Sequence, residues 1–161
     1  MQISEKMPEI VIRSATNADA EAIKNLIFGV LREYNLKPEP CGTDSDLDDI
    51  EASYIKRGGI FEVLETPGGK LLGTIGLFPV NAETVELRKM YFSPELRGKG
   101  VGKKTLLRVI ERARELGFRR IYLETNSVLR EAIGLYKKFG FVETEEKHAA
   151  RCDQAFFLEL K

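Results

Sequence analysis

The chain has 161 residues, 43% of them hydrophobic, with Lys and Arg balanced against Asp and Glu at 25 each. That length suits a single domain, residues 1–161, with a substantial core. The zero net charge argues against a dedicated nucleic-acid binder, which carries a basic excess, and no apolar run approaches the roughly 20 residues of a membrane span.

From the N-terminus, Met1 to Pro8 lacks a charged stretch followed by an apolar one, so no signal peptide is expected. Ile10 to Arg13 reads as a first strand. Thr16-Asn17-Ala18-Asp19 has the form of a capping box with Asp in place of Glu. Behind it Ile23, Leu26, Ile27, Val30, Leu31 and Tyr34 recur at helical spacing, and Pro38 and Pro40 are expected to end that helix. Thr43 to Ile55 is rich in Asp, then weakly helical. Gly58-Gly59 marks a turn. Strands follow at Ile60 to Leu64 and Leu71 to Phe78, joined by the hairpin signal Thr66-Pro67-Gly68-Gly69. A further strand runs from Thr84 to Phe92. Lys103 to Leu116 is an amphipathic helix with Gly117 as its C-cap. Ile121 to Leu123 is a short buried strand, Val128 to Phe139 a helix ended by Gly140. Phe141-Val142 begins a strand, and Ala155 to Leu160 is the last. Strands on both sides of a central helix imply an α/β fold, a mixed sheet with helices on its faces.

The most informative segment is Arg97-Gly98-Lys99-Gly100-Val101-Gly102, between the strand ending at Phe92 and the helix opening at Lys103. Three glycines let backbone N–H groups converge, and the helix N-terminus adds unpaired N–H groups and the positive end of its dipole. Such a turn binds phosphate, and Arg97, Lys99, Lys103 and Lys104 surround it with positive charge. A Rossmann dinucleotide site is a competing reading, with Glu124 at about the distance of its ribose-binding acid. However, the pattern falls late in the chain, with too little sequence after it for a doubly wound fold.

Glu83 to Val142 resembles the cofactor-binding half of the GNAT superfamily of acyl-CoA-dependent N-acyltransferases. Arg97 to Gly102 matches the family pattern Arg/Gln-x-x-Gly-x-Gly/Ala, Tyr136 to Phe141 the Tyr-x-x-x-Gly-Phe segment, and Met90-Tyr91-Phe92-Ser93-Pro94 the strand before the turn. The resemblance implies a mostly antiparallel central sheet flanked by helices. It implies an N-acetyltransferase that moves an acetyl group from acetyl-CoA to a primary amine by direct attack in a ternary complex. A non-catalytic acetyl-CoA-binding sensor or partner module is the alternative. It implies cofactor contacts at Met90, Tyr91, Phe92, Arg97, Gly98, Lys99, Gly100, Val101, Gly102, Lys103 and Asn126. Asn126 enters because Leu129 stands where many members carry an asparagine. A strand bulge near Met90 is expected to free backbone groups for the cofactor. Partners would be acetyl-CoA and an amine acceptor, without nucleic acid or membrane, and a homodimer is compatible with the resemblance.

The resemblance also suggests catalytic residues. Glu86 lies mid-strand, where alternation puts it on one face with Arg88, Met90 and Phe92. The family's strand position suggests that it takes the amine proton, with Glu83 in reserve; ion pairing with Arg88 is the plainer role. The Tyr136 hydroxyl would protonate the departing thiolate, and a core aromatic is the plainer role. His148, the one histidine, falls in a loop near Cys152. Glu39, Asp44, Asp46, Asp48, Asp49 and Glu51 read either as an acidic rim for a cationic amine or as a solvated helix start. Cys41 and Cys152 are expected as free thiols in a reducing cytoplasm, with a disulfide left open. Neither has a partner at metal-ligand spacing, so no metal is expected.

Overall fold

A computed structural model describes residues 9–149 and 151–160. Met1 to Pro8, where the signal-peptide expectation falls, lie outside the described residues, as do Ala150 and Lys161. The elements are β1 (Val11–Ser14), α1 (Ala20–Glu33), β2 (Ile60–Glu65), β3 (Leu71–Pro79), β4 (Thr84–Phe92), α2 (Val101–Glu115), β5 (Arg120–Thr125), α3 (Arg130–Lys138), β6 (Val142–Thr144) and β7 (Gln154–Glu159). They form one seven-stranded sheet in the order β1-β2-β3-β4-β5-β7-β6. Every neighbouring pair is antiparallel except β4 with β5. This is the expected mixed, mostly antiparallel sheet. Among the described residues no helix is long and apolar enough to cross a membrane.

The helices divide between the two faces according to their apolar stripes. Ile23, Ile27 and Leu31 of α1 bury against Phe61 and Val63, with Leu47, Ile50 and Tyr54 closing the same layer. On the other face Leu106, Val109, Ile110 and Ala113 of α2 and Ile133 and Tyr136 of α3 cover Ile75, Leu77, Val85, Ile121 and Leu123. At about 25 cal/mol per Å² of apolar surface removed from water, these two stripes hold the sheet between its layers.

The element boundaries follow local chemistry. The Asp19 carboxylate accepts the Thr16 N–H at 2.8 Å, as a capping box requires. α1 stops at Glu33, before the prolines, with Asn35 in the left-handed region at φ 59°. α2 begins at Val101, two residues before the expected start, because Gly100 caps it at φ 77°. α3 begins at Arg130 rather than Val128, since the Asn126 side chain accepts the Val128 N–H at 3.0 Å and turns the chain first. The segment from Thr43 holds a 3₁₀ turn at Ser45–Asp48 and a π-helical turn at Glu51–Ile55.

Two irregularities in β4 matter for function. Its register against β3 shifts from Gly76↔Arg88 to Thr74↔Tyr91, so Lys89 and Met90 together oppose Ile75. Lys89 takes the left-handed conformation, φ 58°. This is the expected bulge, and it overturns the expected alternation. Before it, Val85 and Leu87 face the α2–α3 layer, leaving Glu86 and Arg88 on the α1 face. The extra residue reverses parity: Met90 packs with the α2–α3 layer, Tyr91 with the α1 layer, and Phe92 against Leu96 and Val101. Glu86 therefore does not share a face with Met90 and Phe92. The second irregularity is that β4 pairs with β5 only at Thr84↔Arg120, Val85↔Ile121 and Glu86↔Tyr122. Beyond Glu86 the two strands part, while β5 stays paired with β7 as far as Thr125↔Gln154.

Candidate active site

The parting of β4 from β5 opens a cleft of about 770 Å³. One wall is the β4 segment from Glu86 to Phe92, whose outward backbone groups beyond Glu86 have lost their strand partner. At its end lies the glycine-rich turn. Gly98 and Gly100 have φ of 75° and 77°, and a Cβ built on either would meet nothing within 4 Å. The space beside both α-carbons is therefore open, and the positive φ at each favours glycine. The first four N–H groups of an α-helix have no intrahelical acceptor, so those at the α2 start can face an anion there. Gly102 differs: its Cβ would stand 3.2 Å from Leu135 Cδ1, so this glycine lets α2 pack closely on α3. These features fit a pyrophosphate-bearing donor.

Arg97 does not act there as a loose cation. Its Nε and Nη2 donate to the Phe92 carbonyl at 3.2 and 3.0 Å, and the guanidinium pairs with Glu33 and lies over the Tyr34 ring at 5.3 Å. It fastens the turn to β4 and α1. Among the sequence candidates, Glu86, Met90, Tyr91, Phe92, Arg97, Gly98, Gly100, Val101, Gly102, Lys103, Asn126 and Tyr136 all line the cleft, whereas Lys99 does not. The Asn126 side chain is already engaged, donating to the Arg151 carbonyl at 2.8 Å as well as accepting from Val128. It joins the β5–α3 turn to the loop before β7.

Behind the bulge sits a buried ionic network. The Lys89 ammonium, on a side chain only 4% exposed, donates to Asp44 Oδ1 at 2.7 Å and to the Thr43 carbonyl at 3.2 Å, and lies 3.4 Å from Asp46 Oδ1. Arg151 grips both Asp44 oxygens at 2.8 and 2.9 Å. Asp46 also accepts from the Tyr54 hydroxyl. Burial alone would raise the Asp44 carboxyl, but Arg151 and Lys89 hold it far below the ordinary range. Of the two readings of the acidic stretch, a rim of free carboxylates does not hold. Asp44 and Asp46 are consumed internally, Asp48 pairs with Lys24, and Asp49 and Glu51 bind the Asn17 side chain and backbone.

The remaining polar groups on the α1 side come from β4, β5 and the loop before β7. Glu86 accepts from Arg88 at 2.9 Å, and the Arg88 guanidinium stacks on Phe78 at 3.8 Å. Glu124 accepts the Ala149 N–H at 3.0 Å and also the His148 N–H, so both hydrogen bonds fall on one oxygen, Oε1. Tyr136 is 5% exposed, and its hydroxyl takes no hydrogen-bond partner among the described residues. Burial, with Tyr91 nearby, pushes this phenol well above its ordinary value. It stays protonated and can donate. Cys152 is pushed up to about 11 by burial, with Glu124 adding to it. It is a thiol rather than a thiolate nucleophile, and both cysteines are free. Among the described residues no metal-ligating cluster exists.

Arg88, Lys89 and Arg151 escaped the sequence reading as site residues, and Glu124 entered it only as the acid of the competing dinucleotide site. Glu124 was legible as a residue two beyond Tyr122 on the same strand face. The ionic network was not legible, because its members lie up to 107 residues apart.

Residues 27–141 match the model of the acetyltransferase (GNAT) family. The uncharacterised N-acetyltransferase YjgM of Escherichia coli is 41% identical over 136 residues, covering 81% of each chain. A GNAT-family acetyltransferase from Staphylococcus aureus superimposes with a TM-score of 0.89 at 26% identity, over 95% of this chain and 100% of the other. The acetyltransferase yncA from Salmonella typhimurium, solved with acetyl-CoA, has a TM-score of 0.72 at 25% identity, over 94% of each chain. With its parted β4 and β5, its glycine-capped α2 and this family match over most of its length, the chain belongs to the GNAT family of acetyltransferases.

Proposed function

We propose that the protein is an acetyl-CoA-dependent N-acetyltransferase acting on a primary amine by direct attack in a ternary complex. The observation that carries this reading is the continuous cleft running from the open glycine turn, along the unpaired edge of β4, to Tyr136 and Glu86. The acetyl-CoA bound to the Salmonella relative supports the choice of donor. Acetyl-CoA supplies the activated acyl group as a substrate. The turn from Gly98 to Lys103 holds its pyrophosphate, with Lys103 adding charge at the rim. The outward backbone of Met90 to Phe92 aligns the amide-bearing arm, and the Met90 N–H polarises the thioester carbonyl.

The chain's own residues then move protons. As the nitrogen–carbon bond forms and the carbon–sulfur bond breaks, one proton leaves the amine and one reaches the sulfur. Glu86 receives the first, directly or through water, on the oxygen that Arg88 does not engage. Tyr136, which burial keeps protonated, donates the second. A single acyltransferase unit spanning 1–161 fits the one sheet that runs through the described residues. The free cysteines suit the reducing cytoplasm. The test is thiol release from acetyl-CoA across a broad amine panel, with wild type and Tyr136→Phe. The variant keeps the ring, so CoA affinity should hold while the rate falls roughly 10- to 1000-fold. Full activity in Tyr136→Phe would return that residue to the core.

A further inference from the structure

The acceptor half of the cleft contains a specific imbalance. Lys89 and Arg151 are consumed by Asp44 and Asp46, and Arg97 by Glu33 and the Phe92 carbonyl. Arg88 differs. A guanidinium has five N–H donors, and among the described residues Arg88 spends one hydrogen bond, on Glu86 Oε1. Its side chain is 29% exposed, lines the cleft, and is held flat on Phe78, which fixes its fork without using its donors. Glu124 is the counterpart. Its Oε1 is taken by two backbone N–H groups, while Oε2 has no partner among the described residues.

The two groups lie on the two sides of the gap, both lining the cleft. The last β4–β5 pair is Glu86↔Tyr122, and Arg88 and Glu124 lie two residues further along parallel strands, on the same α1 face. A cation and an anion thus flank the mouth of the gap at one level, in the cleft that holds the donor's reacting end. They are the complement of a zwitterion.

Building on the acetyl-CoA reading above, we propose that the acceptor is a free α-amino acid, its carboxylate on the Arg88 fork and its ammonium beside Glu124 Oε2. A guanidinium binds a planar carboxylate in bidentate fashion, and the adjacent α-nitrogen is then carried toward the parted strands. The ammonium first gives one proton to solvent; the neutral nitrogen then forms the new bond to the acyl carbon and passes a second proton to Glu86, the carbon–sulfur bond breaks as Tyr136 protonates the sulfur, and the thiol and an N-acetyl amino acid leave. A polyamine fits poorly, because it has no carboxylate to fill the Arg88 fork and the guanidinium would confront one of its ammonium groups with like charge.

The test uses the full chain and acetyl-CoA, with thiol release as the readout. Three acceptors sharing one side chain are compared: the free amino acid, its carboxamide and its decarboxylated amine, repeated across several side chains. For the preferred side chain, the free acid should exceed the carboxamide in kcat/KM by about 100-fold, the size expected for losing a desolvated charge-assisted pair. In Arg88→Gln this ratio should collapse to about threefold or less, through KM rather than kcat, and Arg88→Lys should restore part of it. Thermal melts confirm that the variants fold, and the wild-type comparison needs no variant. Equal or better use of the carboxamide or decarboxylated amine would overturn the proposal while leaving the acetyltransferase reading intact. Absence of thiol release with every amine class, despite CoA binding, would overturn both.

Discussion

Replacing Lys89 by Met removes the one ammonium that serves two buried carboxylates and leaves a side chain of similar length. Breaking a buried ion pair by deleting one partner costs about 3–5 kcal/mol. Here Asp44 retains bidentate Arg151, at 2.8 and 2.9 Å, and its bond to the Glu39 N–H, also 2.8 Å. Asp46 keeps only the Tyr54 hydroxyl for its Oδ2, while its buried Oδ1, already without a hydrogen bond, loses the cation at 3.4 Å. The lower end of the range, about 3 kcal/mol, is therefore expected. A domain of this size shifts by about 2–4 °C per kcal/mol, so the melting temperature should fall by about 6–12 °C. Urea unfolding gives the free energy, calorimetry the melting temperature. The double variant Lys89→Met/Asp46→Asn should recover part of the loss, since it neutralises the charge left without a cation. A cost below about 1 kcal/mol, or no coupling in the double variant, would refute the claim that this network holds the bulge against its left-handed backbone.

Three further outcomes follow from the same geometry. Gly100→Val puts a side chain on a residue at φ 77° and into the open side of the turn; CoA affinity by calorimetry should fall by at least about 10-fold, and unchanged affinity would sink the phosphate-cradle assignment. Arg97→Ala should weaken CoA binding by loosening the turn while leaving the salt dependence of that binding nearly unchanged, because Glu33 already neutralises the guanidinium; a clear drop in salt sensitivity would mean that Arg97 contacts phosphate. The Asp44 carboxyl is depressed on folding, so its contribution to stability is complete above the unfolded value of about 4 and drains away as the pH falls toward the folded value. Asp44→Asn should be less stable at neutral pH and show a flatter decline below about pH 4; parallel acid-unfolding curves would contradict the assignment.

The sheet, its helices and the glycine turn were legible because each rests on local chemistry. Ile23, Ile27 and Leu31 announce a helix by spacing alone, and Gly98, Gly100 and Gly102 announce a tight turn, the first two at positive φ. The bulge was expected near Met90, but its consequence for side-chain direction was not drawn: period-2 counting from Glu86 to Phe92 fails once Lys89 and Met90 share one partner, Ile75. The acidic stretch from Glu39 to Glu51 left two readings open for a related reason. Charge in sequence says nothing about which carboxylates meet a cation in space, and the cations that consume Asp44 come from Lys89 and Arg151. Arg97 read as a phosphate cation for the same reason, since Glu33 of α1 lies 64 residues away in the chain.

Charge bookkeeping inside the cleft connects the bulge to the chemistry. A left-handed lysine in mid-strand costs on the order of 1–3 kcal/mol, and glycine would avoid that cost. Lysine at this position does what glycine could not: its ammonium reaches back to Asp44 and Asp46 and ties the bulge to the loop after α1. Arg151 ties the same carboxylate to the loop before β7. Three chain segments that border the acceptor half are thus fastened through one buried carboxylate, and their charges cancel in the process. Left unspent on the acceptor side are donors of Arg88, whose charge Glu86 balances, and one carboxylate oxygen of Glu124. A rigid scaffold with spare guanidinium donors on one side of a gap and a spare carboxylate oxygen on the other discriminates by the pattern of charge and hydrogen bonding rather than by net charge. The same rigidity holds the backbone of Met90 in place before any substrate arrives, so that the polarising N–H needs no reorganisation at the moment of transfer.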